Sequence, residues 1–450
     1  MTDTICALAT APGGALGIIR VSGPDAFDVV SSICHIDVRK VAANTIHYTR
    51  IVGAEGETID EVMVSVFRAP HSYTGEDSVE ISCHGSRYIL NKVLELLVRN
   101  GCRIANPGEY TQRAYLNGKM DLSQAEAVAD LIASTNRATH QMAMSQLKGH
   151  FSSELKKLRE QLLQLTSLLE LELDFSDHED LEFADRTALL TLATTIDQRI
   201  LQLANSFETG QALRNGIPVA IVGKTNVGKS TLLNRLLGDN RAIVSDIHGT
   251  TRDTIEDTID IDGIQFRFID TAGLRQTSDE IERIGIERTK QKIKEARIVL
   301  WLLDNRPTDE DCKEMSQLTE GKSCISVHTK ADLIDKATFA PYVTSISIIS
   351  AKTGEGIEHL KTRILEEAHI TGLTDNEVII TNARHYDALF RAHDSIQRVI
   401  VGLSPQSILP PDLLSEDLHQ VLDILAEITG GQITPQETLN NIFSHFCIGK

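Results

Sequence analysis

One octapeptide constrains this chain more than any other feature. Gly223-Lys224-Thr225-Asn226-Val227-Gly228-Lys229-Ser230 fits the pattern GxxxxGK[ST], and nothing else in the 450 residues does. The apolar stretch Pro218 to Val222 precedes it, and Thr231 to Leu237, a helix-forming stretch, follows. Strand, glycine-rich turn and helix in that order wrap phosphate groups with backbone N–H donors and a helix N-terminus. On this reading Asn226, Val227, Gly228, Lys229, Ser230 and Thr231 contact a nucleotide. Lys229 meets the β- and γ-phosphates, and Ser230 ligates Mg2+. The alternative is a chance glycine-rich turn. Gln265 to Ile269, Ile298 to Leu303, Ser323 to Val327 and Ser345 to Ile349 read as further strands alternating with helices. That pattern argues a doubly wound α/β domain.

The other parts of a GTP site follow in order. Thr250 and Thr251 lie in a loop, with Thr251 placed to join Mg2+ when the γ-phosphate is present. Asp270-Thr271-Ala272-Gly273 follows the strand ending at Ile269. Asp270 reaches Mg2+ through water, and the Gly273 N–H meets the γ-phosphate. In Thr329-Lys330-Ala331-Asp332 the Asp332 carboxylate can accept both guanine N–H donors. Ser350-Ala351-Lys352 contacts the guanine carbonyl. Each tetrapeptide is weak alone; together, on the expected elements, they point to a GTPase.

Two departures stand out. Thr329 occupies a position where Asn is usual, which weakens the case for strict guanine selection. Leu274 stands where Ras-like enzymes place the glutamine that orients water. An apolar side chain cannot do that, but a carboxylate further along can. Glu280 and Glu282 are the nearest, with Asp279 beside them; all three also read as solvated acids opening a helix. Arg252 and Arg275 cannot be assigned as an arginine finger by spacing.

Different patterns flank this block. Up to about Asn117 the chain reads as a small α+β domain. Ile18 to Val21, alternating Val62 to Phe67 and Val79 to Ser82 are strands, Gly53 to Gly56 a turn, and Tyr88 to Val98 a helix. From Leu122, apolar residues recur at helical spacing, including Leu155, Leu158, Leu162, Leu165, Leu169 and Leu173. The acidic run from Glu170 to Asp185 reads as a solvated helix end and loop. A second helical set begins after Asn382; Thr434-Pro435-Gln436-Glu437 opens its last helix with a cap, a proline and a capping-box glutamate. The fold class is therefore multidomain: α+β, then a discontinuous all-α domain, interrupted by an inserted α/β domain.

Composition excludes several classes. The chain is 41% hydrophobic and 24% charged, which suits folded domains. Apolar runs are far too short to span a bilayer. The segment Met1 to Pro12 lacks a basic n-region, so no signal peptide is expected. Seven scattered cysteines without a CxxC pair argue against disulfides and structural zinc, and for a reducing cytoplasm. Lys and Arg number 44 against 63 Asp and Glu, a net charge of −19. That argues against a broad basic surface for nucleic acid, though not against a local patch.

The chain resembles the tRNA modification GTPase family (MnmE, also called TrmE) over essentially its whole length. The resemblance rests on the insert architecture, Asn226 in the phosphate loop, and Asp246-Ile247-His248-Gly249-Thr250-Thr251-Arg252-Asp253. It also rests on Asp270-Thr271-Ala272-Gly273-Leu274-Arg275, Glu282-Arg283-Ile284-Gly285-Ile286-Glu287 and the ending Phe446-Cys447-Ile448-Gly449-Lys450. In the N-terminal region Ile19 to Gly23, Tyr73 to Asp77, Asn106 to Tyr110 and Leu116 to Leu122 match too.

The resemblance implies four segments: a tetrahydrofolate-binding and dimerisation domain at 1–117, helical parts at 118–213 and 373–450, and a G domain at 214–372. It implies that Ser245, Asp246, Ile247, His248, Gly249, Thr250 and Thr251 join the GTP site. K+ would be held by Asn226, Ser245, Ile247 and Thr250, taking the electrostatic task of an arginine finger. Glu282 would orient the attacking water. Arg20, Glu80, Lys119 and Lys450 would bind a formyl- or methylene-tetrahydrofolate; without the resemblance the first three read as surface residues. Cys447 would be a functional cysteine rather than a small buried hydrophobe. The implied activity is a K+-stimulated GTPase, homodimeric and cytoplasmic. With an FAD-dependent partner of the GidA/MnmG type, it adds a carboxymethylaminomethyl or aminomethyl group at carbon five of the tRNA wobble uridine. A regulatory GTPase of ribosome assembly is the alternative, and an ATP-using P-loop enzyme a third.

Overall fold

The computed structural model describes residues 3–174, 186–238, 257–269, 290–333, 346–368, 378–404, 411–431, 436–444 and 446–449. The chain forms two compact units. One comprises Met1–Ala133, Ala143–Leu201 and Asp387–Lys450; the other Ser134–Met142 and Gln202–Tyr386.

The first unit opens with a sheet of β1 (Ile5–Leu8), β2 (Leu16–Ser22), β3 (Thr45–Val52), β4 (Thr58–Phe67), β5 (Ser78–His84) and β6 (Arg103–Ile104). Their order is β3-β4-β5-β2-β1-β6, antiparallel except for the β1–β6 pair. Helices α1 (Ala26–Ile33) and α2 (Arg87–Arg99) cover one face. Strand period two decides which side chains go inward. Val62, Val64 and Val66 of β4 join Ile19, Val21, Val79, Ile81, Leu90, Val93 and Leu97 in the core. The opposite face presents Ile46, Tyr48 and Met63 to solvent. The expected turn closes β3 onto β4: Gly56 N–H donates to the Gly53 carbonyl at 3.0 Å.

α3 (Glu109–Leu116) leads to α4 (Leu122–Ala133), α5 (Arg137–Leu147), α6 (His150–Asp174) and α7 (Arg186–Asn215). The leucine series of α6 is buried at Leu155, Leu158, Leu162, Leu165 and Leu169. Its three-four spacing makes one apolar stripe along the helix.

The second unit carries β7 (Ile217–Gly223), α8 (Lys229–Gly238), β8 (Asp257–Ile261), β9 (Ile264–Phe268), β10 (Ile298–Leu303), α9 (Asp309–Leu318), β11 (Ser323–His328), β12 (Ile346–Ile348) and α10 (Ile357–Glu367). The order is β12-β11-β10-β7-β9-β8, parallel except for the β8–β9 hairpin. Being covered on both faces, β10 is buried at Ile298, Val299, Leu300, Leu302 and Leu303. The chain leaves β7 for β9 on one side and later returns as β10 on the other. β7 therefore stands at the switch point of the sheet, where α/β folds place ligands at strand C-termini.

α11 (Ala383–Leu403), α12 (Pro411–Thr429) and α13 (Gln436–Ser444) complete the chain. In the first unit α12 packs along α6. Asp197 of α7, 6% exposed, accepts from Gln397 of α11 and pairs with His393, both at 2.6 Å. Leu439, Phe443 and Phe446 pack with Leu122, Ala125 and Val128 of α4. The proposed capping segment Thr434-Pro435 lies outside the described residues, and so does most of the acidic run. No described helix is long and apolar enough to cross a membrane.

Candidate functional site

The phosphate loop sits at the C-terminal end of β7. Gly223, Asn226 and Gly228 take positive φ, at +151°, +61° and +101°. Alternating backbone hand of this kind turns successive N–H groups into one concavity. Gly223 admits no side chain, since a Cβ there would lie 2.5 Å from the Leu302 carbonyl oxygen of β10. Asn is a side chain that tolerates the left-handed region. α8 begins at Lys229, so its unpaired N–H groups face the loop.

Lys229 Nζ donates to the Gly223 and Lys224 carbonyls at 2.5 and 3.1 Å. Burial and then the nearby Lys292 cation push the Lys229 amine below its usual range. A desolvated ammonium whose described partners are neutral carbonyls is suited to meet phosphate oxygens. Ser230 is exposed at the helix start, where its hydroxyl fits a Mg2+ ligand.

The base-reading segments converge on the same end of the sheet. Thr329 follows β11, is 2% exposed, and donates its hydroxyl to the Val227 carbonyl at 2.7 Å. Lys330 adopts φ +61° and its amine lies 3.3 Å from an Asp304 carboxylate oxygen. Buried Ser350 donates to Asp332 Oδ1 at 2.7 Å. That bond holds the Asp332 carboxyl below the usual carboxylate range. An ionised, oriented carboxylate suits a ring presenting two N–H donors. Ala331 N–H donates to the Ile349 carbonyl at 3.0 Å, locking the two loops together. Half-buried Ala351 and exposed Lys352 follow Ser350. Ser245, Asp246, Ile247, His248, Gly249, Thr250, Thr251, Asp270, Thr271, Ala272, Gly273 and Glu282 lie outside the described residues.

A second polar cluster forms on the open face of the first unit's sheet. Arg20 of β2 and Glu80 of β5 are register partners. Arg20 Nε and Nη2 both donate to Glu80 Oε1, at 2.9 and 2.7 Å. The guanidinium lies over the rings of Tyr73 and Tyr110, 5.7 and 5.5 Å from their centroids. Arg20 Nη1 donates to the Gly449 carbonyl at 3.2 Å, so the C-terminal residues close onto the pair. Cys447 is exposed, and its carbonyl accepts from Gly108 N–H at 3.4 Å. Lys119 Nζ donates to the Pro70 carbonyl at 2.8 Å. Pro70 belongs to the loop that also carries Tyr73. Lys450 lies outside the described residues. Arg20 and Glu80 are thus partly enclosed residues of a built cluster, rather than freely solvated ones.

Family models match twice: "GTP-binding protein TrmE N-terminus" over residues 4–119, and "MnmE helical domain" over 122–447. The chain is 53% identical to the tRNA modification GTPase MnmE of Phocaeicola vulgatus, with 100% of this chain and 99% of that one covered. With that of Bacteroides thetaiotaomicron the identity is 54%, at the same coverage. The chain belongs to the MnmE family of tRNA modification GTPases. Among solved structures, the G domain of the T. maritima FeoB iron transporter aligns with 34% of the chain and 99% of its own length, at 26% identity and a TM-score of 0.25.

Several features of this MnmE family member escape its sequence motifs. Arg113 has a side chain 0% exposed, held by Asp3, Glu76 and Glu109 at 2.9, 3.1 and 3.0 Å. Arg103 adds bonds to Asp3 and Glu109. Burial pushes the Glu109 carboxyl up, but Arg103, the Asn106 N–H and Arg113 together outweigh it and leave it below the usual range. Glu76 belongs to the Tyr73-to-Asp77 motif and Glu109 to the Asn106-to-Tyr110 motif, so both motifs contribute to this ionic cluster. The available signal was Arg113 one helical turn after Glu109. Asp60, 8% exposed, accepts from His84 and occupies the inward register of Val62, Val64 and Val66. An acid at an inward strand position was the signal there.

Proposed function

We propose that the chain hydrolyses GTP to GDP and phosphate and takes part in modifying the wobble uridine of certain tRNAs. In this reading the G domain occupies 214–372, between helical parts at 118–213 and 373–450, after an N-terminal domain at 1–117. The phosphate loop holds the triphosphate, with Mg2+ on Ser230 and Thr251, and Asp332 and the Ser350 loop take guanine. Asn226, Ser245, Ile247 and Thr250 would hold K+, which would supply positive charge against that developing between the phosphates. Glu282 orients the water that attacks the γ-phosphorus. The Arg20–Glu80 cluster, with Lys119 and Lys450, takes a formyl- or methylene-tetrahydrofolate supplying one carbon. Its residue types suit that ligand: a carboxylate for pteridine N–H donors and cations for a glutamate tail.

The protein works as a homodimer with an FAD-dependent partner of the GidA/MnmG type, in the cytoplasm. The exposed Ile46 and Tyr48 side chains support a surface covered by a second copy. GTP turnover opens and closes the paired G domains and so times the chemistry.

One observation carries the reading: a single chain joins a phosphate loop tethered to its base-reading loop by Thr329 to an Arg–Glu cluster closed by its own C-terminal residues. Mass spectrometry of tRNA nucleosides from a deletion strain tests it. Loss of the aminomethyl-type wobble uridine, restored by the wild-type gene and not by Asp332→Asn, is the expected result. An unchanged nucleoside profile with impaired ribosome assembly would transfer the protein to the alternative class.

A further inference from the structure

The geometry points to His84, oriented by Asp60, as a further ligand contact on the sheet face that carries Arg20 and Glu80. This inference rests on the folate reading of that face. Asp60 holds His84 twice: Oδ2 accepts the His84 main-chain N–H at 2.8 Å, and Oδ1 lies 2.7 Å from Nδ1. Oδ1 also accepts the Glu61 N–H at 2.9 Å. A carboxylate that is acceptor-only fixes the proton on Nδ1 and leaves the Nε2 lone pair free to accept. The His84 side chain is 69% exposed while that of Asp60 is 7% exposed. A buried acid thus spends its oxygens aiming an exposed imidazole.

Strand register places this imidazole on a track. Glu80, Ser82 and His84 alternate to the same face of β5. Across the sheet Glu80 pairs with Arg20, Ser82 with Ile18 and Met63, and His84 with Leu16. The face therefore runs from a charged pair, over a strip bearing Ile18 and Met63, to an oriented acceptor. Four residues of strand span about 13 Å, within reach of an extended pteridine and its aminobenzoyl arm. Ligand N–H groups, on the pteridine or the aminobenzoyl amide, are donors for Nε2.

Titration of the full-length protein with 5-formyltetrahydrofolate tests this, using calorimetry for affinity and NMR of histidine-labelled protein for the imidazole. Wild type should bind, with the His84 ring signal (identified by its loss in His84→Gln) moving on saturation. His84→Ala should weaken binding about 5- to 10-fold, the worth of one hydrogen bond. Asp60→Asn should weaken it about threefold by releasing the ring. A purely structural pair would lower thermal stability in these variants and leave the ring signal and the affinity untouched. If wild type binds while the His84 signal stays fixed and His84→Ala binds equally well, the inference falls and the folate reading stands. If folded wild type binds no 5-formyltetrahydrofolate, both fall. Should His84→Ala fail to fold, the wild-type ring signal and His84→Gln decide.

Discussion

The Thr329 hydroxyl ties the base-reading loop to the phosphate loop by donating to the Val227 carbonyl at 2.7 Å. Both residues are buried. The unusual Thr therefore offers a donor at the position where the motif carries Asn. Thr329→Val should leave a buried carbonyl unpaired, at a cost of about 1–3 kcal/mol. GTP and GDP affinity should fall about 5- to 100-fold, because the two loops are no longer held at a fixed spacing. Thr329→Asn restores a donor and should bind within about threefold of wild type. Calorimetric titration with GDP decides; equal affinity for Thr329→Val would remove the tether.

The Arg113 cluster makes acid stability specific to the first unit. Burial raises Asp3 and Glu109, yet their arginine partners outweigh it, so both carboxyls lie below their usual values. Depressed folded values mean that this stabilisation is present above the unfolded carboxylate range, about pH 4, and is lost as pH falls through the folded values. Thermal unfolding of the wild type should therefore weaken most steeply below about pH 4. Arg113→Met takes one of two arginines from buried Glu109 and the arginine that pairs with half-buried Glu76, and should cost about 3–5 kcal/mol at pH 7. Its melting temperature should also change less between about pH 5 and about pH 3, across the carboxylate range. Parallel slopes for variant and wild type would show that the cluster does not set the acid limit.

These features show where sequence legibility ends. Val62, Val64 and Val66, and the leucine stripe of α6, announce themselves because burial follows backbone periodicity. The loop ends around Gly223 and Asp332 were legible because nucleotide chemistry demands those residue types at those spacings. β8 was not expected: Asp257, Asp260 and Thr258 leave only Ile259 and Ile261 as apolar signal in a short edge strand. Arg113 was missed because an arginine reads as surface until its three acids, some of them distant in sequence, are brought around it. The closure of Gly449 onto Arg20 joins positions 429 apart, and local patterning carries no information about such a contact.

Gly108 seats the C-terminal residues. Its φ is +67°, and a Cβ there would lie 2.8 Å from the Phe443 carbonyl oxygen and 2.9 Å from Phe446 Cβ. Gly108→Val therefore combines backbone strain with a steric clash, together costing about 1–3 kcal/mol. The residues after Phe443 should lift from α3, taking the Gly449 carbonyl off Arg20. Carboxypeptidase digestion should release Lys450 and Gly449 faster from the variant, about tenfold for 1.4 kcal/mol of local opening. Unchanged digestion would mean that the tail is held elsewhere.

The hydrolytic reading is the most exposed to test, because Leu274 cannot orient water and Asn226 must do more than shape a turn. Asn226 takes φ +61°, which glycine adopts freely. Asn226→Gly therefore removes the side chain while preserving the loop, so a loss of turnover can be read as a lost ligand. Wild-type GTP turnover should be high in K+ and low in Na+. Asn226→Gly should turn over in K+ at the wild-type Na+ rate and still bind GDP. Glu282→Ala should bind GTP normally and lose about 10²- to 10⁴-fold in turnover, the usual contribution of a positioned proton acceptor. Phosphate release measured in matched chloride salts separates these roles. Equal wild-type rates in K+ and Na+ would sink the cation mechanism, while full activity of Glu282→Ala would return the water-orienting task to Glu280 or Asp279.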